Sequence, residues 1–548
     1  MSNTELHELT LAEASEQIRS KALSPVEYAR ALIARSEDLQ PQLFAFLTPT
    51  FEQAVKDCEA AEKEIAAGNY RGSMHGIPYA LKDIYDTAGI RTTGHSKTNI
   101  DRIPDKDCTA FVKLREAGAV LTGKLATHEF AHGGPSFDLP WPPARNPWNT
   151  AHFTGGSSSG SGAAVAAGLV PMALGTDTGG SIRSPAGLCG LAGMKPTYGR
   201  VSRAGVIPNS YTYDHCGPLT RTAHDSAIVL NAIAGYDPAD PASANVPEED
   251  FTSGIGDSIK GMRIAVIRHF WERDAKVHPE LPAAMEAAID VLRNLGAEIE
   301  EIELRELQYY QDVKVVTAEA EVLSINLRTF QERPQDFGQD FRVRCLPACL
   351  FSAEDYVRAG RERRAITSEM AELYQRFDLF MTANTSAAPR IDKHDPSTFM
   401  RTPSFTTPFN CTGGPALALL CGFTSDGLPL SMQLAGRPFD DARVLSAGHA
   451  YEQATGWYRQ RPELNIGDPP APIDPHPWKP DTGHVSAELR ARAENAALQM
   501  GLNLPEEIME ELVAVAPYAI AMAGRLKRDN AREDEVSSVF DIGRYRQD

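Results

Sequence analysis

Two Gly/Ser-rich segments hold the residues best suited to chemistry: Gly155-Gly156-Ser157-Ser158-Ser159-Gly160-Ser161-Gly162 and Gly175-Thr176-Asp177-Thr178-Gly179-Gly180-Ser181-Ile182-Arg183. Glycine lets backbone approach a ligand closely and take torsions that turn successive N–H groups toward one point. Hydroxyls beside such N–H groups suit an anion or oxyanion site. Between the two segments, Ala163-Ala164-Val165-Ala166-Ala167-Gly168-Leu169 reads as a closely packed helix of small residues, and Pro171-Met172-Ala173-Leu174-Gly175 as a short buried strand. A free Gly/Ser tether has no such sequel.

Three motif readings can be weighed on residue type and spacing. His128-Glu129-Phe130-Ala131-His132 is formally H-E-x-x-H, which on a helix would turn two imidazoles toward one metal while the glutamate activates water. Gly133-Gly134-Pro135 follow at once and stop a helix, so a zinc protease is not expected. Gly156-Ser157-Ser158-Ser159-Gly160 is formally G-x-S-x-G with Ser158 as nucleophile. That elbow needs a hydrophobic strand before it, and Asn146-Pro147-Trp148-Asn149-Thr150-Ala151-His152 makes a poor one. The third reading pairs a serine nucleophile with a lysine, which serves as a base when burial leaves it neutral. Ile77-Pro78-Tyr79-Ala80-Leu81-Lys82-Asp83 reads as a buried strand ending on two charges and puts Lys82 in that position, although a lone lysine is ordinarily a solvated surface charge.

These stretches carry a family resemblance. Gly76-Ile77-Pro78-Tyr79-Ala80-Leu81-Lys82-Asp83, the two Gly/Ser segments, Lys195-Pro196-Thr197-Tyr198-Gly199-Arg200-Val201, Asp214 with Gly217-Pro218, Gly427-Leu428-Pro429 and Gln433-Leu434-Ala435-Gly436-Arg437-Pro438 resemble the amidase signature family in order and spacing. The match runs from about residue 5 to residue 460. It implies Ser181 as nucleophile, Ser157 as bridging serine after a cis Gly156–Ser157 peptide, and Lys82 as terminal base. The family's spacing between the two serines selects Ser157 over Ser158 and Ser159, which become supporting hydrogen-bond donors. The N–H groups of Thr178, Gly179, Gly180 and Ser181 are the implied oxyanion hole, and Asp177 and Arg183 are expected to brace that loop. No metal and no organic cofactor is implied.

The implied activity is that of a serine amidohydrolase cleaving the C–N bond of a small carboxamide, or of a urea or carbamate, through an acyl-enzyme. Two alternatives stand beside it: the glutamine-hydrolysing A-type subunit of an amidotransferase, and a non-catalytic binding scaffold of the same fold. The acidic charge and a C-terminal appendage weigh against the first, the complete Lys82, Ser157, Ser181 set against the second. Thr127, His128, Phe130 and Ile207 are candidate pocket residues. Met381-Thr382-Ala383-Asn384-Thr385-Ser386 stands where the family commonly has a Pro-containing loop, expected near substrate, so a relative's specificity does not carry over.

Holding these residues together calls for an α/β fold, a mixed β-sheet core covered by helices on both sides, plus a small all-helical C-terminal appendage. Thr10 and Ser24-Pro25 open helices in an arm that reads as helical to about Ala66. Met262–Ile267, a helix from Leu281 to Leu295, and Ala297–Glu300 repeat the strand–helix–strand alternation. Residues from about Leu304 to Tyr374 read as charged helices that shape a substrate cavity. The division expected is a catalytic domain over 1–465, a Pro-rich linker over 466–485 and a helical domain over 486–548. The latter resembles in style the amidotransferase C-type subunit and is too small to stand alone, so it is expected on a partner surface.

With 54 basic and 73 acidic residues the chain carries a net charge of −19 and a pI near 5.3, a field that repels phosphate backbones and anionic membranes. The expected partners are accordingly a small-molecule amide, no nucleic acid and no membrane, with a homodimer that uses the C-terminal helices at its interface. No export or membrane-spanning pattern is read, so a cytoplasmic location is expected. The eight scattered cysteines form no C-x-x-C pair and read as reduced packing residues.

Overall fold

Thr10 and Ser24 open the first two long helices as their residue types predict. Thr10 forms a reciprocal capping box with Glu13 ahead of helix Leu11–Arg19, and Ser24 accepts from the N–H groups of Val26 and Glu27 ahead of Pro25–Leu43. The computed structural model describes residues 5–526. Phe44 ends the second helix with a φ of 49°, and the chain then enters strand β1 (Phe46–Pro49), inside the stretch that reads from sequence as wholly helical.

The remaining strands are β2 (Pro78–Lys82), β3 (Val120–Leu125), β4 (Met172–Asp177), β5 (Ala192–Lys195), β6 (His215–Thr220), β7 (Arg263–Val266), β8 (Glu298–Glu301), β9 (Leu379–Thr385), β10 (Ala416–Phe423) and β11 (Pro429–Ala435). Among the described residues they form one eleven-stranded sheet in the order β1-β3-β2-β4-β6-β5-β10-β11-β9-β7-β8. The sheet is mixed: β2 runs parallel to β3 and β4, and β7 parallel to β8 and β9, while the other neighbours pair antiparallel. Helices cover it, giving the α/β architecture expected.

The pairing of β2 with β4 positions the chemistry. Because these two are parallel neighbours, with Leu81 opposite Leu174, their C-terminal ends share one edge of the sheet. Lys82 is the last residue of β2, and the Thr178–Arg183 loop leaves the end of β4 at Asp177. The small-residue helix between the two Gly/Ser segments is Ser159–Ala166, and every one of its residues is buried. Only side chains this small let a helix sit so close to the sheet.

The 304–374 stretch forms helices Leu307–Glu332, Gln339–Cys345 and Ala353–Arg376. The C-terminal residues form helices Ala487–Gln499 and Glu506–Arg525. Their apolar face does not wait for another chain, which corrects the expectation of a partner surface. Ala497, Ile508, Leu512, Ala516 and Ala519 share one buried cluster with Phe330, Phe337, Phe341 and Leu346 of the same chain. The Pro-rich residues 466–485 form neither helix nor strand, yet they are tied down: Ala471 N–H donates to Thr150 Oγ1 at 2.7 Å and Trp478 N–H to Gln339 Oε1 at 2.8 Å. Among the described residues, no helix is long and apolar enough to cross a membrane.

Candidate active site

Lys82 is fully buried at the end of β2, where its Nζ donates to Ser157 Oγ at 2.7 Å and to Thr176 Oγ1 at 2.9 Å. Burial lowers its pKa to about 7, against the opposing pull of Asp214 and Asp177. The sequence expectation of a lysine neutral near neutral pH rests on this desolvation. Ser157 follows a cis peptide from Gly156. Its carbonyl accepts from Thr127 Oγ1 and from His128 N–H, both at 2.9 Å, so Thr127 holds the serine's backbone rather than substrate. Ser158 N–H donates to the Ser181 carbonyl at 3.3 Å and joins the two Gly/Ser segments, while Ser158 Oγ bridges to the Thr176 backbone.

The Ser181 loop is shaped by one carboxylate. Buried Asp177 accepts from Gly180 N–H at 2.8 Å, from Ile182 N–H at 3.2 Å, and from Arg183 Nε and Nη2, each at 3.0 Å. Burial alone would raise the Asp177 pKa, but Arg183 outweighs it and holds the carboxyl far below the usual range. Arg183 in turn donates to Thr406 O, Gln433 Oε1 and Asn410 Oδ1. Both residues thus brace the loop. The same contacts correct one oxyanion assignment, because the Gly180 N–H is committed to Asp177. Among the described residues the N–H groups of Thr178, Gly179 and Ser181 have no acceptor, and Thr178 is fixed through its Oγ1, which donates to Asp214 at 2.6 Å.

Ser157, Ser181 and the Thr178–Gly180 loop line a cavity of about 210 Å³. Two cations that sequence reasoning did not single out stand in its wall. Lys314, on helix Leu307–Glu332, lies so near the loop that a Cβ on Gly179 would meet its Cε at 3.1 Å and its Nζ at 3.2 Å. Arg344, on helix Gln339–Cys345, rests its guanidinium 3.6 Å from the centre of the Phe399 ring. Neither cation has a hydrogen-bond acceptor among the described residues, and burial lowers the pKa of both. The nearby carboxylates are Glu319, which faces His132 at 2.8 Å and makes no hydrogen bond among the described residues, and Asp340, which pairs with His394 and accepts from Gly134 N–H. Glu319 offsets part of the charge of both cations without bonding either. The one sequence signal for these cations was the expectation that the 304–374 helices shape a cavity.

The H-E-x-x-H segment is no zinc helix. Glu129–Ala131 is a single tight turn with positive φ at Phe130 and Ala131, and its three polar side chains go to different partners. His128 Nδ1 contacts Gly133 O at 2.8 Å, Glu129 accepts from Ser96 Oγ at 2.5 Å and Gly338 N–H at 2.8 Å, and His132 meets Glu319. Of the candidate pocket residues, His128 lines the cavity, Phe130 packs edge-on against Phe337 and Phe341, and Ile207 faces a separate cavity behind Asp214. The 381–386 stretch is also displaced from its expected role. Its residues through Thr385 lie in β9, none lines the cavity, and Asn384 Nδ2 donates to Arg183 O at 2.8 Å.

His128 gives a direct test of the packing. A Cβ at Gly156 would fall 1.9 Å from His128 Cε1, which itself stacks on Phe153. Gly156→Ala is expected to destabilise the protein by about 1–3 kcal/mol, as overpacking does. Turnover should fall by up to about 100-fold, because displacing His128 moves the Ser157 backbone. Thermal denaturation and hydrolysis rates measure both, and unaltered values for this variant would contradict the contact.

Fold and site together define the class: the chain belongs to the amidase signature family and is an amidase-signature hydrolase. The Amidase family model matches residues 27–445. The A-type subunit of the glutamyl-tRNA(Gln) amidotransferase of Geobacter metallireducens is 38% identical over 485 residues, covering 83% of this chain and 99% of the relative. Among solved structures, one described as revealing the evolutionary origins of an s-triazine catabolic enzyme in a vestigial protein complex superposes with a TM-score of 0.76 at 32% identity, covering 83% of this chain and 100% of that one. The native peptide amidase of Stenotrophomonas maltophilia superposes with a TM-score of 0.74 at 28% identity, covering 84% and 99%. These findings correct the expected partners. A relative this similar is by name one subunit of an amidotransferase for glutamyl-tRNA, so a homodimer that meets only a small amide, with nucleic acid excluded by surface charge, does not stand.

Proposed function

We propose that the chain hydrolyses the primary carboxamide of a small carboxylate-bearing amide, with glutamine as the substrate, in the manner of the A-type amidotransferase subunits it resembles. The observation that carries the reading is that Lys314 and Arg344, in the wall of a small cavity that also exposes Ser181, have no hydrogen-bond acceptor among the described residues. A buried cation without an acceptor is costly, and a substrate carboxylate relieves that cost. Neutral Lys82 takes the Ser181 proton through Ser157 as Ser181 Oγ attacks the amide carbon. The N–H groups of Thr178, Gly179 and Ser181 receive the developing oxyanion. The relay then returns the proton to the departing ammonia, and water frees the acyl group by the same route in reverse.

The test is ammonia release from glutamine, beside aryl, aliphatic, urea and carbamate substrates, with Ser181→Ala as the blank. Release from glutamine that the blank lacks is the expected result. Turnover of neutral amides alone would overturn the glutamine assignment. A second reading, hydrolysis of a different small carboxylated amide, is favoured by the C-terminal helices: they lie beyond the residues the family model matches and pack on the helices that carry both cations. Adding succinamate to the panel separates the two: its turnover without turnover of glutamine would favour the second.

A further inference from the structure

We propose that the C-terminal helix Glu506–Arg525 sets the substrate preference of the site by fixing in place the two helices that deliver its cations. This rests on the reading that Lys314 and Arg344 receive a substrate carboxylate. The C-terminal helix grips each of the two close to its cation. Glu511 is buried and accepts from Arg342 Nε and Nη2, each at 2.9 Å, and from Gln339 Nε2 at 2.8 Å. Arg342 stands two residues before Arg344 on the same short helix. That helix, Gln339–Cys345, is only seven residues long, too short to hold its own orientation by internal hydrogen bonds. At the other end, Arg525 forms a two-pronged pair with Asp312 at 2.6 and 2.7 Å, and Asp312 stands two residues before Lys314.

The contacts between these anchors are apolar. Ile508, Leu512 and Ala516 pack in one cluster with Phe337 and Phe341, whose stacked rings lie 5.2 Å apart at the start of the short helix. The short helix therefore lies between the cavity on one side and the C-terminal helix on the other. Its Asp340 and Arg344 serve the first, its Gln339 and Arg342 the second. Neither Glu511 nor Arg525 lines the Ser181 cavity, and both act as positioning residues. Loss of either anchor lets the corresponding helix shift, and a displacement of about 1 Å is enough to weaken a charge-to-charge contact by tenfold or more.

The test reads protection of Ser181 against a fluorophosphonate probe in the full-length protein, by succinamate and by butanamide, its neutral analogue with a methyl group in place of the carboxylate. In the wild type, succinamate is expected to protect at about tenfold lower concentration than butanamide, as an ion pair in a sheltered site allows. Glu511→Gln and Arg525→Gln are expected to raise the protecting concentration of succinamate about tenfold while leaving that of butanamide unchanged, with Ser181 labelling intact. Equal protection by the two ligands in the wild type would remove the carboxylate reading itself. A wild-type preference that both variants retain would leave that reading standing and overturn this proposal. So would a parallel weakening of both ligands, since a general loosening of the structure does not distinguish charge.

Discussion

Ser181→Ala is expected to lower kcat by about 10⁶-fold, the scale seen when a serine nucleophile is removed from an intact acyl-transfer site. Ser181 sits on a loop whose shape is imposed by the Asp177 carboxylate and by Arg183, and neither contact involves the Ser181 hydroxyl. The substitution therefore deletes the atom proposed to attack and leaves the loop as it is. Thermal stability should change little, and substrate binding should persist because Lys314, Arg344 and the loop amides remain. Rapid-mixing and steady-state assays read the rate, and intact-mass analysis reads the acyl adduct. Turnover by Ser181→Ala at a tenth of the parent rate would mean that another hydroxyl attacks.

Lys82→Met is expected to cost about 10²–10⁴-fold in kcat, the range of a positioned general base, and to remove one limb of the pH profile. Burial brings the Lys82 pKa down to about 7, so above that pH the amine is neutral and free to accept the proton of the proposed relay through Ser157. Below it the ammonium has no free pair to offer. Activity in the parent should accordingly rise with pH through about 7 and level off above, whereas the methionine variant should follow a flat line at its low rate. Methionine fills much of the same buried volume, which limits the loss of stability. A pH limb that survives in the variant would assign the titration to another group.

The residues of the proposed relay were legible in the chain because their signals are local. Lys82 closes an apolar strand, and Ser157 and Ser181 lie in segments where glycine and serine density has a chemical meaning that no packing role requires. The two cations lacked any such mark. Lysine and arginine spaced along charged helices ordinarily face water, and only the arrival of Phe399 and the Ser181 loop beside them makes Lys314 and Arg344 part of a cavity. Gly180 was misread for a related reason, since nothing in its sequence says that Asp177 will take its N–H. The apolar stripe of the C-terminal helix was visible as a stripe, but a stripe does not name the surface it will cover. Strand β10, a continuous apolar run buried on both sides, offered no alternation to read.

The Asp177–Arg183 pair also bears on ligand affinity. Because a buried ion pair and at least two backbone amides already fix the loop, it has little freedom left to lose when a tetrahedral species forms against it. Ordering of a recognition loop ordinarily subtracts from the observed binding free energy. Here that subtraction was made during folding, so on the proposed mechanism discrimination between a planar amide and its tetrahedral successor falls to the geometry of the Thr178, Gly179 and Ser181 donors.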